Sequence, residues 1–487
     1  MSAHTSRVVF PGQKKSRIAA AIIARQDRIP VWALPRTVLL VIGLGLLFTF
    51  YDIGDINVSF IQTCTQIVVG CLPLTASQYL GFPVLMNLLG YVLGALVFSP
   101  LADRYGRRDM MVVTMAITGL GSLYTAFVAD YTHFVLARTL TGVGIGADLA
   151  LVNTYINELA PRGERARYTA LIFIMSSIGG SLGVWLGFYL TTPPEPFPYG
   201  LPIALAGPQF TFGWRVVYAI GASLAFIGLL LRFQLPESPR WLITKGRIYE
   251  AERVVERMED HARQRLAGEL PPPEPELQAP IYDRRTGYKE IFSNTLYFKR
   301  TILLLVIWLL AYITVYSNIS GMTTLLVALH YPVAEAGLIT SCGIIGSTIC
   351  ALSAYLLGEY VERKIWLLVA ALLTMLGEVT VALSGNSFGL AALGTIVLGM
   401  GCYIWLPMVY SWSTENYPTR ARASGFALVD GIGHVGGGIG VSYVTSLVTR
   451  LGPGGTFVLI GSFLLLAALL AQFGPSTRQK RLDEVSP

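Results

Sequence analysis

The chain has 487 residues, 53% hydrophobic and only 13% charged, with a mean hydropathy of +0.57. A water-soluble chain carries roughly 25% charged residues, so a soluble globular protein is excluded. The net charge of +7 is accounted for by where the basic residues fall along a membrane chain, and it argues for no nucleic-acid partner.

Apolar runs of about 20 residues recur, each long enough to cross a bilayer. The chain therefore reads as an all-α membrane protein; a β-barrel would show alternating segments of about ten residues. Residues 1–36 carry Arg7, Lys14, Lys15, Arg17, Arg25, Arg28 and Arg36, too spread out for a signal peptide. They read as a cytoplasmic tail with an amphipathic helix near 18–24. Twelve spans are predicted near 37–59, 83–102, 110–129, 133–159, 167–190, 213–234, 300–323, 335–358, 365–384, 389–412, 424–448 and 455–473. An even number puts both termini on one side. Of the 36 Lys and Arg, 33 fall in the tails, turns and central loop of that side, with Arg232 counted at the head of the loop. Only Arg138, Arg215 and Arg450 remain. Basic residues favour the cytoplasmic side, so both termini are expected in the cytoplasm of a multi-pass cell-membrane protein. The organisation is a tail (1–36), a six-helix domain (37–234), a cytoplasmic linker (235–299), a second six-helix domain (300–473) and a tail (474–487). The linker opens with PESPRWLITKGR, continues in a charged helical stretch over 249–266, and ends in the Pro-rich PPPEPELQAP.

The fourth span carries ions in an apolar, Gly-rich setting: Arg138 near one end and Asp148 near its middle. An ion inside a bilayer is costly and by default functional. Asp52 lies sixteen residues above Arg36, ~24 Å along a helix, and Arg138 ~8 Å below the outer end of its span. Both fall in the outer half, where they could pair. Asp148, ~15 Å deeper than Arg138, is a second proton-carrying or substrate-contacting group. Asp55 reads as solvated near the outer mouth. Gly142 and Gly146 suggest close helix approach. No strand or Walker lysine accompanies them, so they are not a nucleotide loop.

The two halves repeat. Asp103-Arg104 after the second span matches Glu362-Arg363 after the eighth, at an offset of 259. Glu158-x-x-Pro161-x-x-x-Arg165 matches Glu415-x-x-Pro418-x-x-x-Arg422, at an offset of 257. With Arg107 and Arg108, these paired acids and bases read as a cytoplasmic gate that forms in one conformation and breaks in another. In the second half, Asp430 and His434 share a helix face. Tyr312, Tyr316 and Asn318 are candidates to line a cavity, while Asn87, Gln62 and Glu378 are intramembrane polar groups without an assigned role. Cys64 and Cys71 could meet outside; Cys342, Cys350 and Cys402 read as buried apolar thiols.

SPLADRYGRR (99–108), Glu158/Pro161/Arg165 and Pro236-Glu237-Ser238-Pro239-Arg240 resemble the major facilitator superfamily and its sugar-porter branch. GVGIGAD (142–148) and Tyr51-Asp52 resemble the phosphate and organic-anion proton symporters. The resemblance implies two pseudo-symmetric six-helix domains, a central substrate cavity, alternating access, and proton coupling through Asp52 and Arg138. Three substrate positions of those branches fall here at Ser176, Tyr410 and His434. The resulting expectation is a secondary active, proton-coupled symporter of a small polar metabolite, an organic or inorganic anion. A sugar or polyol symporter, a proton-driven efflux protein and a non-transporting sensor are the alternatives. No nucleophile–base pair or metal spacing occurs, so no enzyme, cofactor or metal is expected. The partners are a small-molecule substrate, protons and the lipid bilayer, with the protein a monomer.

Overall fold

The computed structural model describes residues 11–161, 164–273, 287–358, 360–418, 421–478 and 485–486. Helix α1 (Pro11–Asp27) precedes the first half: α2 (Arg36–Gly54), α3 (Ile56–Ile67), α4 (Ala76–Tyr105), α5 (Arg107–Phe127), α6 (Tyr131–Leu159), α7 (Arg165–Thr191) and α8 (Gly213–Arg232). Three linker helices follow: α9 (Pro239–Thr244), α10 (Ile248–Leu266) and α11 (Gly287–Ser293). The second half holds α12 (Thr295–Ala328), α13 (Val333–Leu357), α14 (Arg363–Ala382), α15 (Phe388–Ile404), α16 (Leu406–Glu415), α17 (Arg422–Gly433), α18 (Val435–Ile439) and α19 (Val448–Ala471).

Among the described residues, eleven helical stretches are long and apolar enough to cross a membrane. The remaining path, from α17 through α18 and a π-helical stretch over Gly440–Val444, is the twelfth, the eleventh in chain order. It breaks because it is built from glycines that let neighbours press in. A side chain at Gly436 would strike Leu309 of α12, one at Gly437 the ring of Tyr316, and one at Gly438 Leu85 of α4. The segment thus wedges between the two halves. The first span differs from its expected 37–59. It is two helices joined at Asp55, and it runs on to Ile67.

Close backbone contact without large side chains is how helices pack in a bilayer. Gly142 and Gly146 of α6 lie against the backbone of Asn87 and Tyr91 in α4, and Gly90 and Gly94 of α4 return the contact. This packing fixes α4, and with it Tyr91, at the boundary between halves. Cys64 and Cys71 are joined in a disulfide at the face opposite the linker. Cys350 and Cys402 are buried, and Cys342 is partly so.

Candidate functional site

Between the halves lies a cavity of about 60 Å³, walled by Phe50, Asn57, Asn318, Met322, Ser347 and Tyr403 among others. The halves touch on either side of it. Toward the face opposite the linker, the Asn57 amide donates to the Ile319 carbonyl, and Thr323 Oγ1 donates to Asn57 Oδ1 at 2.8 Å. Toward the linker face, Arg167 Nε donates to the Tyr355 hydroxyl at 3.1 Å.

Beside the cavity, Asp52, Asp55 and Arg138 form one buried cluster, none more than 2% exposed. Arg138 Nη1 lies 3.6 Å from Asp52 Oδ1 and 3.7 Å from Asp55 Oδ1. Nη2 donates to the Asp52 carbonyl at 2.9 Å, and Ser122 donates to Asp52 Oδ1 at 2.6 Å. The guanidinium also lies 5.4 Å from the Tyr218 ring centroid, a cation–π contact. The expectation of a solvated Asp55 is corrected. The span continues eight residues beyond its expected end, ~12 Å of helix, so Asp55 lies within the bundle. Two carboxylates therefore face one guanidinium.

Asp148 occupies a second cluster, at Thr49, about one turn before Asp52 on α2. Its two carboxylate oxygens pair with the two terminal nitrogens of Arg232, Oδ2 accepting from Nη2 at 2.9 Å. Thr114 donates to Oδ1 at 2.9 Å and Thr49 to Oδ2 at 3.3 Å. Both side chains are 1% exposed. Arg232 was counted with the central loop, and this is corrected: it ends α8 with its side chain turned into the bundle. Gly45 makes the room, since a Cβ there would strike the Arg232 guanidinium.

In the second half, Tyr312, Tyr316, Tyr410, Asp430 and His434 come together. Tyr312 donates to Asp430 Oδ1 at 2.8 Å, and Tyr91, from the first half, donates to Oδ2 at 2.8 Å. His434 Nδ1 lies 2.7 Å from the Asp430 carbonyl, which only accepts, so Nδ1 carries the hydrogen. The imidazole stacks on Tyr91 at 3.7 Å between centroids and lies 4.0 Å from Tyr312. Trp308 and Trp405 extend the aromatic wall. Ser176 donates to the Phe173 carbonyl, and Phe173 packs on Tyr410. Asn318 stands apart, at the cavity. Tyr91 and Arg232 were missed as site residues. The partner of each lies far along the chain; Tyr91 carries no local signal, while Arg232, an ion inside the expected 213–234 span, carries one that its place at the span's end masks.

At the linker face, Arg107 pairs with Glu158 at 3.3 Å. Gly106, at φ 120°, turns the chain into α5. There Glu237 accepts from the Arg107 amide at 3.0 Å and the Ser238 amide at 2.9 Å, meeting the positive end of α5. Burial pushes the Glu237 carboxyl above its ordinary range, against those amide bonds. Arg104 lies over Tyr105, and Arg108 pairs with Asp109. Arg363 donates to the Gly358 carbonyl and Glu362 accepts from the Thr477 amide, while Glu415 is half-buried at the end of α16. The side chains of Asp103, Arg165 and Arg422 lie outside the described residues.

Two six-helix halves around a central cavity, with buried ions beside it, define a multi-pass membrane transporter. Residues 38–328 match the family described as sugar (and other) transporter, and residues 304–486 the major facilitator superfamily. The chain belongs to the major facilitator superfamily, within its sugar-porter-related transporters. It is 26% identical to the niacin transporter of Acinetobacter baylyi, covering 95% of this chain and 99% of that one. It is 30% identical to the 4-hydroxybenzoate transporter of Pseudomonas aeruginosa, covering 79% and 80%. The D-xylose transporter of Levilactobacillus brevis is 26% identical over 91% and 92%. In fold, the chain matches an inward-open xylose transporter from E. coli with a TM-score of 0.68, at 21% identity over 92% and 98%. These relatives are transporters of small metabolites, and this chain is a transporter, not an enzyme.

Proposed function

We propose that this protein imports a small aromatic carboxylate in symport with protons, from a cell membrane in which both termini face the cytoplasm. The carrying observation is the cluster of Asp52, Asp55 and Arg138 beside the cavity. Two buried carboxylates against one cation leave an unbalanced charge, which is expensive at low dielectric. One bound proton balances it. Losing that proton, or releasing Arg138, changes the attraction between α2 and α6, which links protonation to conformation. Asp148, held by Arg232, joins this set as a second proton-carrying or substrate-contacting group.

The aromatic cluster and the amides of Asn57 and Asn318 suit a flat ring bearing a polar group. The niacin and 4-hydroxybenzoate relatives support an aromatic acid. Ser176, Tyr312, Tyr316, Asn318, Tyr410, Asp430 and His434 are the proposed substrate contacts. The xylose relatives favour a second reading, a sugar symporter. The gate acids and bases at the linker face are proposed to latch the cytoplasmic ends when the cavity opens outward.

Uptake into proteoliposomes tests these readings. With the interior alkaline, labelled 4-hydroxybenzoate and nicotinate should accumulate and xylose should not; the reverse favours the sugar reading. Asp52→Asn should abolish accumulation and keep exchange across a membrane without a gradient. Undiminished accumulation in that variant moves the coupling elsewhere.

A further inference from the structure

Glu378 sits four residues before the end of α14, with none of its side chain exposed, and none of the clusters described above uses it. Its setting differs from theirs. Asp52 and Asp55 face Arg138, Asp148 faces Arg232, and Asp430 takes two tyrosine hydroxyls. Glu378 takes a single amide bond: Asn318 Nδ2 of α12 donates to Oε1 at 2.8 Å. Its other oxygen, Oε2, is buried and accepts nothing, and Oδ1 of the same Asn318 amide is also buried without a donor. Among the described residues, no Lys, Arg or His lies within ion-pair distance. α12 presents Asn318, α15 presents Cys402 and α19 presents Gly461. The titratable group among these is the Cys402 thiol, which brings no positive charge.

An ionised carboxylate in such a place loses far more hydration than one amide donor returns. One proton on Oε2 removes the charge and makes that oxygen a donor. The acceptor standing open on the residue that Glu378 already touches is Asn318 Oδ1. A single proton can therefore satisfy both orphaned atoms and close a reciprocal acid–amide pair. Asn318 itself lines the central cavity, and so any ligand that takes its carboxamide disturbs the pair.

We propose that Glu378 is a second proton-binding site, neutral in this conformation and linked to cavity occupancy through Asn318. It takes its proton from water when the cavity is open to one face. It gives the proton back to water when hydration or a ligand on Asn318 breaks the pair. The site lies in the half opposite Asp52, and the proposal does not depend on which solute is carried.

Infrared difference spectroscopy of the full chain in lipid tests this without a substrate. Subtracting the spectrum of Glu378→Gln from that of the parent at neutral pH should leave the carbonyl band of one protonated, unhydrated carboxylic acid. A second variant, Asn318→Leu, should shift that band, because the acid loses its amide partner. If no acid band disappears in Glu378→Gln, the residue is ionised and the proposal falls. If the band is present but unmoved in Asn318→Leu, the link to the cavity falls. A misfolded Glu378→Gln leaves the shift in Asn318→Leu as the deciding reading.

Discussion

Cutting one side of the Asp148–Arg232 pair should be among the most damaging polar substitutions available in this protein. Both side chains are 1% exposed, and the carboxylate meets both terminal guanidinium nitrogens and two threonine hydroxyls. Arg232→Met leaves Asp148 buried with two hydroxyls and no cation, at a cost of ~3–5 kcal/mol. At about 4 kcal/mol the ratio of folded to unfolded protein falls roughly a thousandfold. Asp148→Asn alone leaves the guanidinium uncompensated, still bonded to the Met111 carbonyl, and should cost a similar amount. The double variant removes both charges, and a buried pair replaced by neutral groups is often close to neutral in stability. The two single losses should therefore fail to add, by ~3 kcal/mol or more. Denaturant unfolding in a fixed lipid–detergent mixture measures all three variants. Additive losses would show that the two residues do not act as a pair and would refute the reasoning. The double variant also separates fold from transport. If it is stable yet cannot accumulate substrate, Asp148 takes part in the transport cycle and not only in holding α6 to α8.

Four further outcomes are expected. Gly45→Ala places a methyl group where the Arg232 guanidinium lies; it should cost ~1–3 kcal/mol as overpacking, read by the same unfolding assay. Tyr91→Phe removes a hydroxyl that joins the halves at Asp430; it should cost about 1 kcal/mol and raise the reactivity of a reporter cysteine in the cavity. Burial would push the Glu259 carboxyl up, but its bonds from Arg25 and Arg28 outweigh this and hold it below its ordinary range. A depressed carboxyl contributes stability above its unfolded value and loses it as pH falls through the folded one. Docking of α1 on α10 should thus weaken on acidification below the ordinary glutamate range, and hydrogen exchange in α1 should lose that pH dependence in Glu259→Gln. Asp103→Asn should shift cavity accessibility toward the cytoplasmic side without changing the melting temperature.

The span pattern was legible because apolar runs of membrane length carry the signal by themselves. Helix ends were less so, since Asp55 interrupts the first span without ending it. Arg138 and Asp148 stood out because an ion in an apolar run has few explanations, and a matching depth pointed from Arg138 to Asp52. That argument worked along the helix axis, where rise per residue converts sequence into distance. It could not work across the bundle. Arg232 reaches Asp148 from 84 residues away, and Tyr91 reaches Asp430 across 339; rotation about the helix axis and packing of neighbouring glycines decide those meetings. The same blindness hid the partner of Glu378, Asn318, which lies 60 residues away. Depth was thus readable wherever two polar residues sat in long spans of known ends. Azimuth was not, and in a bundle of twelve helices azimuth decides whether a buried acid finds a cation, as Asp148 does, or an amide, as Glu378 does. Whether a buried carboxylate is held by a cation or by an amide therefore lies in the packing, although the sequence supplies a carboxylate in both cases.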